Sequence, residues 1–244
     1  MQTIDVDFTR APAVFPNNDI MYEVNKRRAD IYVYANGLCL TWCPAKDRPN
    51  TWVLNEKPNI TEEKVVWLQR HDKDCGDLYG LLPLAMGLPV TLTDHVDRNP
   101  EINLLRGRIG YVDGWVLADS EDSKFSEGRR ILRHMLTVVF VQFKERISND
   151  GEMVYEPCRW RNGQSDKRGV ILVSHWKRSW FLDKGSTRPV LDVKRQQVPL
   201  APAYSITAHG AQGQTLPAAI VDSQLGRGVG PIARHVAMTR ARRW

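Results

Sequence analysis

A stretch near the C-terminus, AYSITAHGAQGQTL at 203–216, concentrates side chains that can hold an anion. On a helix its polar positions would lie on one face, four and three residues apart, and would end at a glycine: Ser205, His209, Gln212 and Gly213. Gln214 and Thr215 would follow in a turn, where backbone amides and side-chain donors can meet phosphate oxygens. Taken alone, such a stripe is more often a solvent-exposed helix face than a phosphate site.

Two glycine-rich patterns elsewhere could be taken for nucleotide sites. A phosphate-binding P-loop needs G-x-x-x-x-G-K-[ST], and the sequence contains no Gly-Lys pair; DKGST at 183–187 has the pair reversed. LGRGVG at 225–230 resembles a dinucleotide fingerprint, but Pro231 stands at the third glycine position and no acidic residue follows. Neither pattern predicts a nucleotide site.

The charge balance favours a polyanionic partner. The formal net charge is +6 at pH 7, from 34 lysines and arginines against 28 acidic residues. The surplus is strongest at the end of the chain, where no acidic residue follows Asp222 and arginines recur at Arg227, Arg234, Arg240, Arg242 and Arg243. This region also carries apolar residues that belong in a core.

The elements that must position these residues begin with a strand, a turn and two helices. A short strand is expected at Ala13–Phe15, followed by a helix capped by Asn18 or Asp19. A second helix is expected from Thr61, with two glutamates in its first turn. The positions expected to face the core are Ile20, Met21 and Val24 in the first helix and Val65, Val66 and Leu68 in the second.

The pattern changes twice further along the chain. From Pro83, short β-branched or aromatic runs separated by Gly, Asp, Asn and Ser predict a small antiparallel barrel. After Pro199 the sequence predicts a helix from Pro202, a buried strand at 218–222 and a helix from Pro231. This order predicts one α/β domain that is interrupted by a β-barrel.

Cysteine usage and hydropathy point to an intracellular protein. Cys39, Cys43, Cys75 and Cys158 lack the paired spacing of a zinc site, so we expect buried free thiols in a reducing compartment and no metal site. The chain has no apolar run of about 18 residues that could span a bilayer, and no secretory signal segment follows Met1.

Several segments, read together, resemble the C-terminal half of the Pif/RecD-type superfamily-1 DNA helicases. The specific pair is AHGAQGQTL at 208–216 and VAMTRAR at 236–242, separated by one predicted strand. FPNNDIMYEVN at 15–25 and LPLAMGLPVTLTDHVDRNPEINLLRGRIGYV at 82–112 extend the resemblance in the same order, and it is weakest over 30–75 and 120–195. The implied fold is an α/β, RecA-like parallel-sheet domain interrupted by an inserted small SH3-like β-barrel subdomain.

The resemblance also implies roles for individual residues. Nucleic-acid contacts are implied for Thr207, His209, Gln214, Thr215, Arg106 and Arg108, and nucleotide contacts for Gln212, Gly213 and Arg240. Arg240 matches an arginine finger, which suits phosphoryl transfer because a planar guanidinium stabilises charge on the terminal phosphate oxygens. Without the upstream motif, a surface salt bridge would be the better explanation of Arg240.

The implied domain boundaries place residues 1–82 and 196–244 in the second RecA-like domain and 83–195 in the insertion. RGRIG stands where the family often has an Asn-Gly turn, so Arg106 leaves the turn geometry open. The insertion mixes Trp160, Trp176 and Trp180 with basic residues. These tryptophans fit either a barrel core or stacking on single-stranded bases, and the core is the commoner use.

A motor of this class also needs a first RecA-like domain with a P-loop, an acidic magnesium ligand and a glutamate that activates water. The resemblance therefore implies that ATP and Mg²⁺ are held mainly by a domain outside these residues. The implied partners are single-stranded DNA and that N-terminal P-loop domain, with no membrane, and the implied state is a monomer.

Two functions fit these observations. The first is the C-terminal portion of an ATP-dependent DNA helicase, with a nuclear or mitochondrial location in a eukaryote and a role in repair, recombination or telomere maintenance. The alternative is a non-catalytic module, derived from such a helicase, that binds single-stranded nucleic acid.

Overall fold

The computed structural model describes residues 11–15, 18–57, 59–99, 103–119, 124–126 (backbone alone), 128–143, 169–208, 210–211, 219–221, 235 and 238–239. Contacts divide the chain into two compact units. Unit 1 combines Met1–Ile31 with Pro202–Trp244, and unit 2 is Tyr32–Ala201. The predicted boundaries at 82/83 and 195/196 stay a prediction about the extent of the insertion.

The elements follow one another in a mixed α/β order. They are β1 (Ala13–Phe15), α1 (Asn18–Ala35), β2 (Leu40–Pro44), β3 (Lys46–Pro49), α2 (Thr51–Glu56), α3 (Ile60–Gln69), a 3₁₀ helix (Asp72–Cys75), β4 (Leu81–Leu84), β5 (Pro89–Leu92), β6 (Ile109–Val116), β7 (Lys124–Ser126), β8 (Arg129–Ile131), β9 (Val138–Phe143), β10 (Val170–Ser174), β11 (Trp176–Phe181), β12 (Asp192–Gln197), β13 (Leu200–Pro202), β14 (Ser205–Thr207) and β15 (Ile220–Val221).

Unit 1 is built on a parallel sheet. β1 is its central strand and pairs in parallel with β14 on one side and β15 on the other. Val14, Ala208 and Ala211 form the buried core beside this sheet. The strand predicted at Ala13–Phe15 and the helix predicted to begin at Asn18 are therefore confirmed.

The predicted helix from Pro202 to Gly213 is wrong in its first half. Ser205–Thr207 forms β14, whose residues pair with Ala13–Phe15. The strand wins because β1 lies about 190 residues earlier in the chain and offers it a full parallel ladder, a contact that no helical periodicity can reveal. The strand predicted at 218–222 exists as β15, although Ile220 is 41% exposed.

The core-facing positions predicted for the helices also need correction. α1 buries Tyr22, Asn25 and Ala29, spaced three and four residues apart, whereas Ile20 is exposed. In α3, Val65 and Val66 are 57% and 58% exposed, and Trp67 is fully buried. The large indole takes the inward position because it removes far more apolar surface from water than either valine would.

Unit 2 contains three β-sheets. β10-β9-β6-β5-β13 forms a five-stranded sheet, β4-β2-β8-β7 a four-stranded sheet and β11-β12-β3 a three-stranded sheet. Within the described residues these sheets are open and do not close into the predicted barrel. Strands β2 and β3, which precede Pro83, pair with β8 and β12 from the predicted insertion.

A buried ion pair lies at the centre of unit 2. Arg195 on β12 is fully buried, and its Nε and Nη2 atoms donate to the two carboxylate oxygens of Asp47 on β3 at 2.9 and 2.7 Å. The same guanidinium donates to the carbonyl oxygens of Trp67 at 2.8 Å and Leu78 at 3.3 Å, and it lies 5.6 Å from the centre of the Trp180 ring. Its charge is therefore fully compensated.

Three cysteines lie in the described part of the chain, and all are free thiols. Cys43 and Cys75 are buried and Cys39 is half-buried, which confirms the expected free state for these three. Cys158 lies outside the described residues. Burial raises the pKa of the Cys75 thiol to about 11, because the thiolate would lose its hydration.

Asp47→Ala should lower the free energy of unfolding of unit 2 by about 3–5 kcal/mol, because it leaves the Arg195 charge buried without a counter-ion. Chemical denaturation followed by tryptophan fluorescence measures this change. The matched control is Asp74→Ala, which removes an exposed pair with Lys184 at 3.4 Å and should change stability little. Equal losses in the two variants would show that the buried pair is not central.

Alkylation should distinguish Cys75 from Cys39. At pH 8 the folded chain should react with iodoacetamide at Cys39 and resist at Cys75, because the raised pKa of Cys75 keeps the thiol protonated and its burial blocks access. The raised pKa also stabilises the fold below about pH 9, and this contribution declines as the pH approaches 11. Mass spectrometry locates the label, and equal labelling in denaturant is the control. Rapid labelling of Cys75 in the folded chain would contradict the assignment.

Candidate nucleic-acid and nucleotide interface

The side chain of Asn25 holds strand β14 in place. Asn25 is 2% exposed, and its Oδ1 accepts hydrogen bonds from the backbone N–H groups of Ser205 at 2.8 Å and Tyr204 at 3.1 Å. The Ser205 hydroxyl lies 3.0 Å from the same oxygen and 2.9 Å from the carbonyl oxygen of Met21, and Asn25 Nδ2 donates to the Ser205 carbonyl at 3.3 Å. Ser205 is therefore a buried structural residue and does not belong to an anion-binding stripe.

Thr207 ends β14 and begins the following turn. Its hydroxyl oxygen accepts a hydrogen bond from the Gly210 N–H at 3.0 Å, and its carbonyl accepts one from the Ala211 N–H at 2.9 Å. This is the bonding pattern of a helix N-cap. Among the described residues no acceptor takes the hydroxyl proton, so a phosphate oxygen could accept it while the cap is retained.

This cap lies where α/β sheets usually bind ligands. Thr207 pairs with Phe15 at the carboxyl ends of two parallel strands, and the Ala208 N–H donates to the Phe15 carbonyl at 2.9 Å. Ligands of open α/β sheets bind beyond the carboxyl ends of the strands. The part of the motif that the structure describes therefore starts at a suitable edge.

The other predicted residues of this motif lie outside the described residues. They are His209, Gln212, Gly213, Gln214, Thr215 and Arg240. Next to Arg240, Thr239 is helical and its hydroxyl donates to the His235 carbonyl at 2.8 Å. The roles implied for the six residues stay predictions.

In unit 2, Arg106 and Arg108 flank a tight turn. The Arg108 N–H donates to the Leu105 carbonyl at 3.1 Å, and Gly107 has a φ of +86°. Among the four turn residues a positive φ occurs at Gly107 alone, which matches a type II turn and differs from the type I′ turn that Asn-Gly favours. An arginine in place of the asparagine is therefore compatible with this turn.

The two arginines make different contacts. Arg106 is exposed, and its guanidinium pairs with Asp77 at 2.9 Å. Arg108 donates to the Asn103 carbonyl at 2.9 Å, and its guanidinium lies 5.3 Å from the centre of the Phe143 ring. Because an exposed ion pair is weak, Arg106 could exchange Asp77 for a phosphate, whereas Arg108 helps to pack the turn.

The tryptophans of the predicted insertion differ in their burial and contacts. Trp180 is 3% exposed and meets Trp67 edge to face at 5.8 Å, so it fills the core. Trp176 is half-buried beside Arg178, whose guanidinium lies 5.0 Å from its ring centre and also pairs with Asp94. Trp160 lies outside the described residues.

Unit 2 contains a basic cleft that the sequence does not predict. It has a volume of about 510 Å³, and its charged or titratable lining residues are Lys46, Asp47, Lys64, Arg133 and His134. Since Asp47 is already bound to Arg195, the cleft favours an anion. The cations come from separate elements, so no local spacing in the sequence could signal the cleft.

The described residues show neither a metal site nor a membrane-spanning helix. They contain no group of three or more His, Cys, Asp or Glu side chains that could hold a metal ion. No helix in that same part of the chain is long and apolar enough to cross a membrane.

Comparison with solved structures identifies the fold. The chain superimposes on a Pif1 helicase from Candida albicans with a TM-score of 0.55 and 16% sequence identity, over 98% of this chain and 45% of that one. This is the fold of part of a Pif1 helicase. Pif1 from Bacteroides, in a structure bound to single-stranded DNA, matches with a TM-score of 0.50 and 15% identity, over 99% of this chain and 40% of that one.

The Pif1 likeness supports a RecA-like fold. The chain spans less than half the length of the two solved helicases. No protein-family profile matches the sequence, and no curated protein matches it. The SH3-like character of the insertion stays a prediction.

Asn25→Ala should loosen β14, because it leaves the buried N–H of Ser205 and the partly buried N–H of Tyr204 without an acceptor, at a cost of roughly 1–3 kcal/mol for the buried group. We expect amide hydrogen exchange in a peptide covering residues 203–208 to become at least about tenfold faster. The matched control is Asn36→Ala, since that exposed side chain bonds only the Tyr32 carbonyl. Unchanged protection of residues 203–208 in Asn25→Ala would contradict the role of this side chain.

Proposed function

We propose that this chain is the second RecA-like motor domain, with an inserted SH3-like subdomain, of an ATP-dependent DNA helicase. The observation that carries the proposal is the Pif1-type fold across 98% of the chain. The parallel sheet of unit 1 adds to it, because the sheet presents Thr207 at the start of the segment that resembles a helicase motif. Residues 1–82 and 196–244 would form the motor domain and 83–195 the insertion.

In this proposal the Thr207 turn links nucleic acid to nucleotide. Thr207, His209, Gln214 and Thr215 would hold backbone phosphates, and Gln212 and Gly213 would connect that contact to the nucleotide cleft. Thr207 suits the role because its hydroxyl can donate to a phosphate while it caps the turn. Arg106 would add a phosphate contact from unit 2, while the carbonyl contact of Arg108 favours a supporting role.

ATP and Mg²⁺ fit this chain only in part. The sequence has no Gly-Lys pair for a P-loop, and the described residues contain no acidic cluster for the metal ion. Both would therefore be held mainly by an N-terminal P-loop domain, where they supply the phosphoryl group and its charge neutralisation. From this chain, Arg240 would stabilise negative charge on the terminal phosphate oxygens.

The second candidate is a non-catalytic module that binds single-stranded nucleic acid. The basic surplus of the chain supports this candidate, because Lys and Arg side chains bind the phosphate backbone without any need for ATP. It shares the DNA-binding surface with the first proposal and differs in ATP turnover. Repair, recombination and telomere maintenance in the nucleus or mitochondrion are proposals that follow from the helicase reading.

Arg240→Ala should reduce DNA-stimulated ATP hydrolysis by about 10³-fold or more in a protein that joins this chain to a P-loop domain. The single-strand affinity should stay within about twofold, because this arginine would contact nucleotide. Steady-state ATPase assays and fluorescence anisotropy measure the two effects. Arg188→Ala, at an exposed position in the β11–β12 loop, is the matched control and should change neither.

The outcomes separate the two candidates. Near-normal turnover in Arg240→Ala would refute the arginine-finger role. If the unmodified fusion binds single strands with a steep salt dependence but never hydrolyses ATP, the non-catalytic module is the better description.

A further inference from the structure

The sheet β11-β12-β3 has two faces of different chemistry. Along a strand, side chains alternate between the faces, and residues directly opposite in an antiparallel pair share a face. The inward face carries Trp180, Val193 and the Arg195–Asp47 pair, all buried. The outward face is therefore defined by the alternate positions of the same three strands.

The outward face presents four cations in two adjacent rows. Each row crosses β11, β12 and β3, and the register gives Ser179, Lys194 and Arg48 in one row and Lys177, Gln196 and Lys46 in the other. All four basic residues are exposed. None of them has an ion-pair or hydrogen-bond partner among the described residues, and the two rows contain no carboxylate.

This arrangement does not help the sheet itself. Lys194 stands directly opposite Arg48, and like charges at facing positions destabilise a β-sheet. Neighbouring strands lie about 4.8 Å apart, and backbone positions two residues apart on one strand are about 6.8 Å apart, so the four side chains project from closely spaced backbone positions. An external polyanion would relieve this repulsion at all four positions.

The shape of the face suits a phosphate backbone. The two rows contain polar and charged side chains without an aromatic ring, and the next row of the same face pairs Phe181, which is 38% exposed, with Asp192. Proteins that hold single strands combine a groove with aromatic stacking platforms, which these rows lack. An array of cations without stacking rings is better suited to the outside of a duplex, where phosphates lie at the surface.

We propose that the cationic face formed by Lys46, Arg48, Lys177 and Lys194 binds the phosphate backbone of duplex DNA. The proposal deepens the proposed function in one respect, because a helicase meets duplex DNA where the strands separate. The face is distinct from the residues implied in single-strand and nucleotide contact. Lys46 also borders the basic cleft that includes Lys64, so the positive surface continues beyond the sheet.

The test is a salt titration of duplex binding by the 244-residue chain without ATP. A labelled blunt 20-base-pair duplex and one of its strands are the probes, and fluorescence anisotropy gives the affinity. Each lost phosphate contact lowers the slope of log K against log salt by about 0.9 for a duplex. The variant with Lys46, Arg48, Lys177 and Lys194 each changed to Gln should lose up to about 3.6 from that slope and bind duplex on the order of tenfold more weakly at low salt.

The control makes the same change of charge at four other surface positions, of which Lys57 is partly buried and paired with Glu63 and Lys184 is paired with Asp74. It replaces Lys57, Lys73, Lys184 and Arg188 with Gln, which also removes three lysines and one arginine. Lys57 directly follows α2 and Lys73 lies in the 3₁₀ helix, and Val53 and Cys75 of these two elements pack against the inward face. For this control variant the slope of log K against log salt should change by less than about 1, since the four residues lie outside the two rows.

Two variants that each carry half of the substitutions keep the test valid if the fourfold variant fails to fold. Lys46→Gln with Arg48→Gln, and Lys177→Gln with Lys194→Gln, should each lower the slope by about 1.8. Equal losses in the face and control variants, or an unchanged slope in the face variant, would overturn the proposal. A loss confined to the single strand would also overturn it. Because no ATP is used, failure of the Arg240 experiment would leave this result standing, and the reverse also holds.

Discussion

Unit 2 depends on the neutralisation of Arg195. A guanidinium that is fully buried needs a counter-charge and acceptors for its remaining protons, and Asp47 with the carbonyls of Trp67 and Leu78 provides them. These partners bring β12, β3, the end of α3 and the segment before β4 to one point. The inward face of the three-stranded sheet is thereby settled, and the four basic residues at the alternate positions of these strands face outward.

In unit 1 a neutral buried side chain, Asn25, has the organising role that the buried charge of Arg195 has in unit 2. Asn25 accepts from two successive backbone N–H groups and lies against the Ser205 hydroxyl, so a buried amide sets the path of β14. That path brings Thr207 to the edge of the sheet at the point where its hydroxyl caps the next turn. Ser205 and Thr207 both belong to the polar segment that the sequence assigns to ligand contact. In the structure Ser205 supports the strand, whereas Thr207 lies at the sheet edge where a ligand could bind.

Local signals were sufficient for some elements and insufficient for others. The turn before α1 and the glutamates after Thr61 lie within a few residues of the helices that they predict, so those helices could be read from the sequence. The strand identity of residues 205–207 depends on β1, and the cationic face depends on the pairing of 46–49 with 193–196. Periodicity carries no information about such distant partners, so the sequence could favour a core role for Trp180 but could not show that it packs against Trp67.

The alternation of side chains along β12 couples the buried ion pair of unit 2 to the charge on its surface. Lys194 and Arg195 are neighbours in the chain, yet one is exposed and the other fully buried. A deletion or insertion of one residue within β12 would exchange their faces, removing the buried counter-ion partner and the surface charge together. Length variation in this part of the protein is therefore expected in the loop between β11 and β12, whereas the strand should tolerate only substitutions.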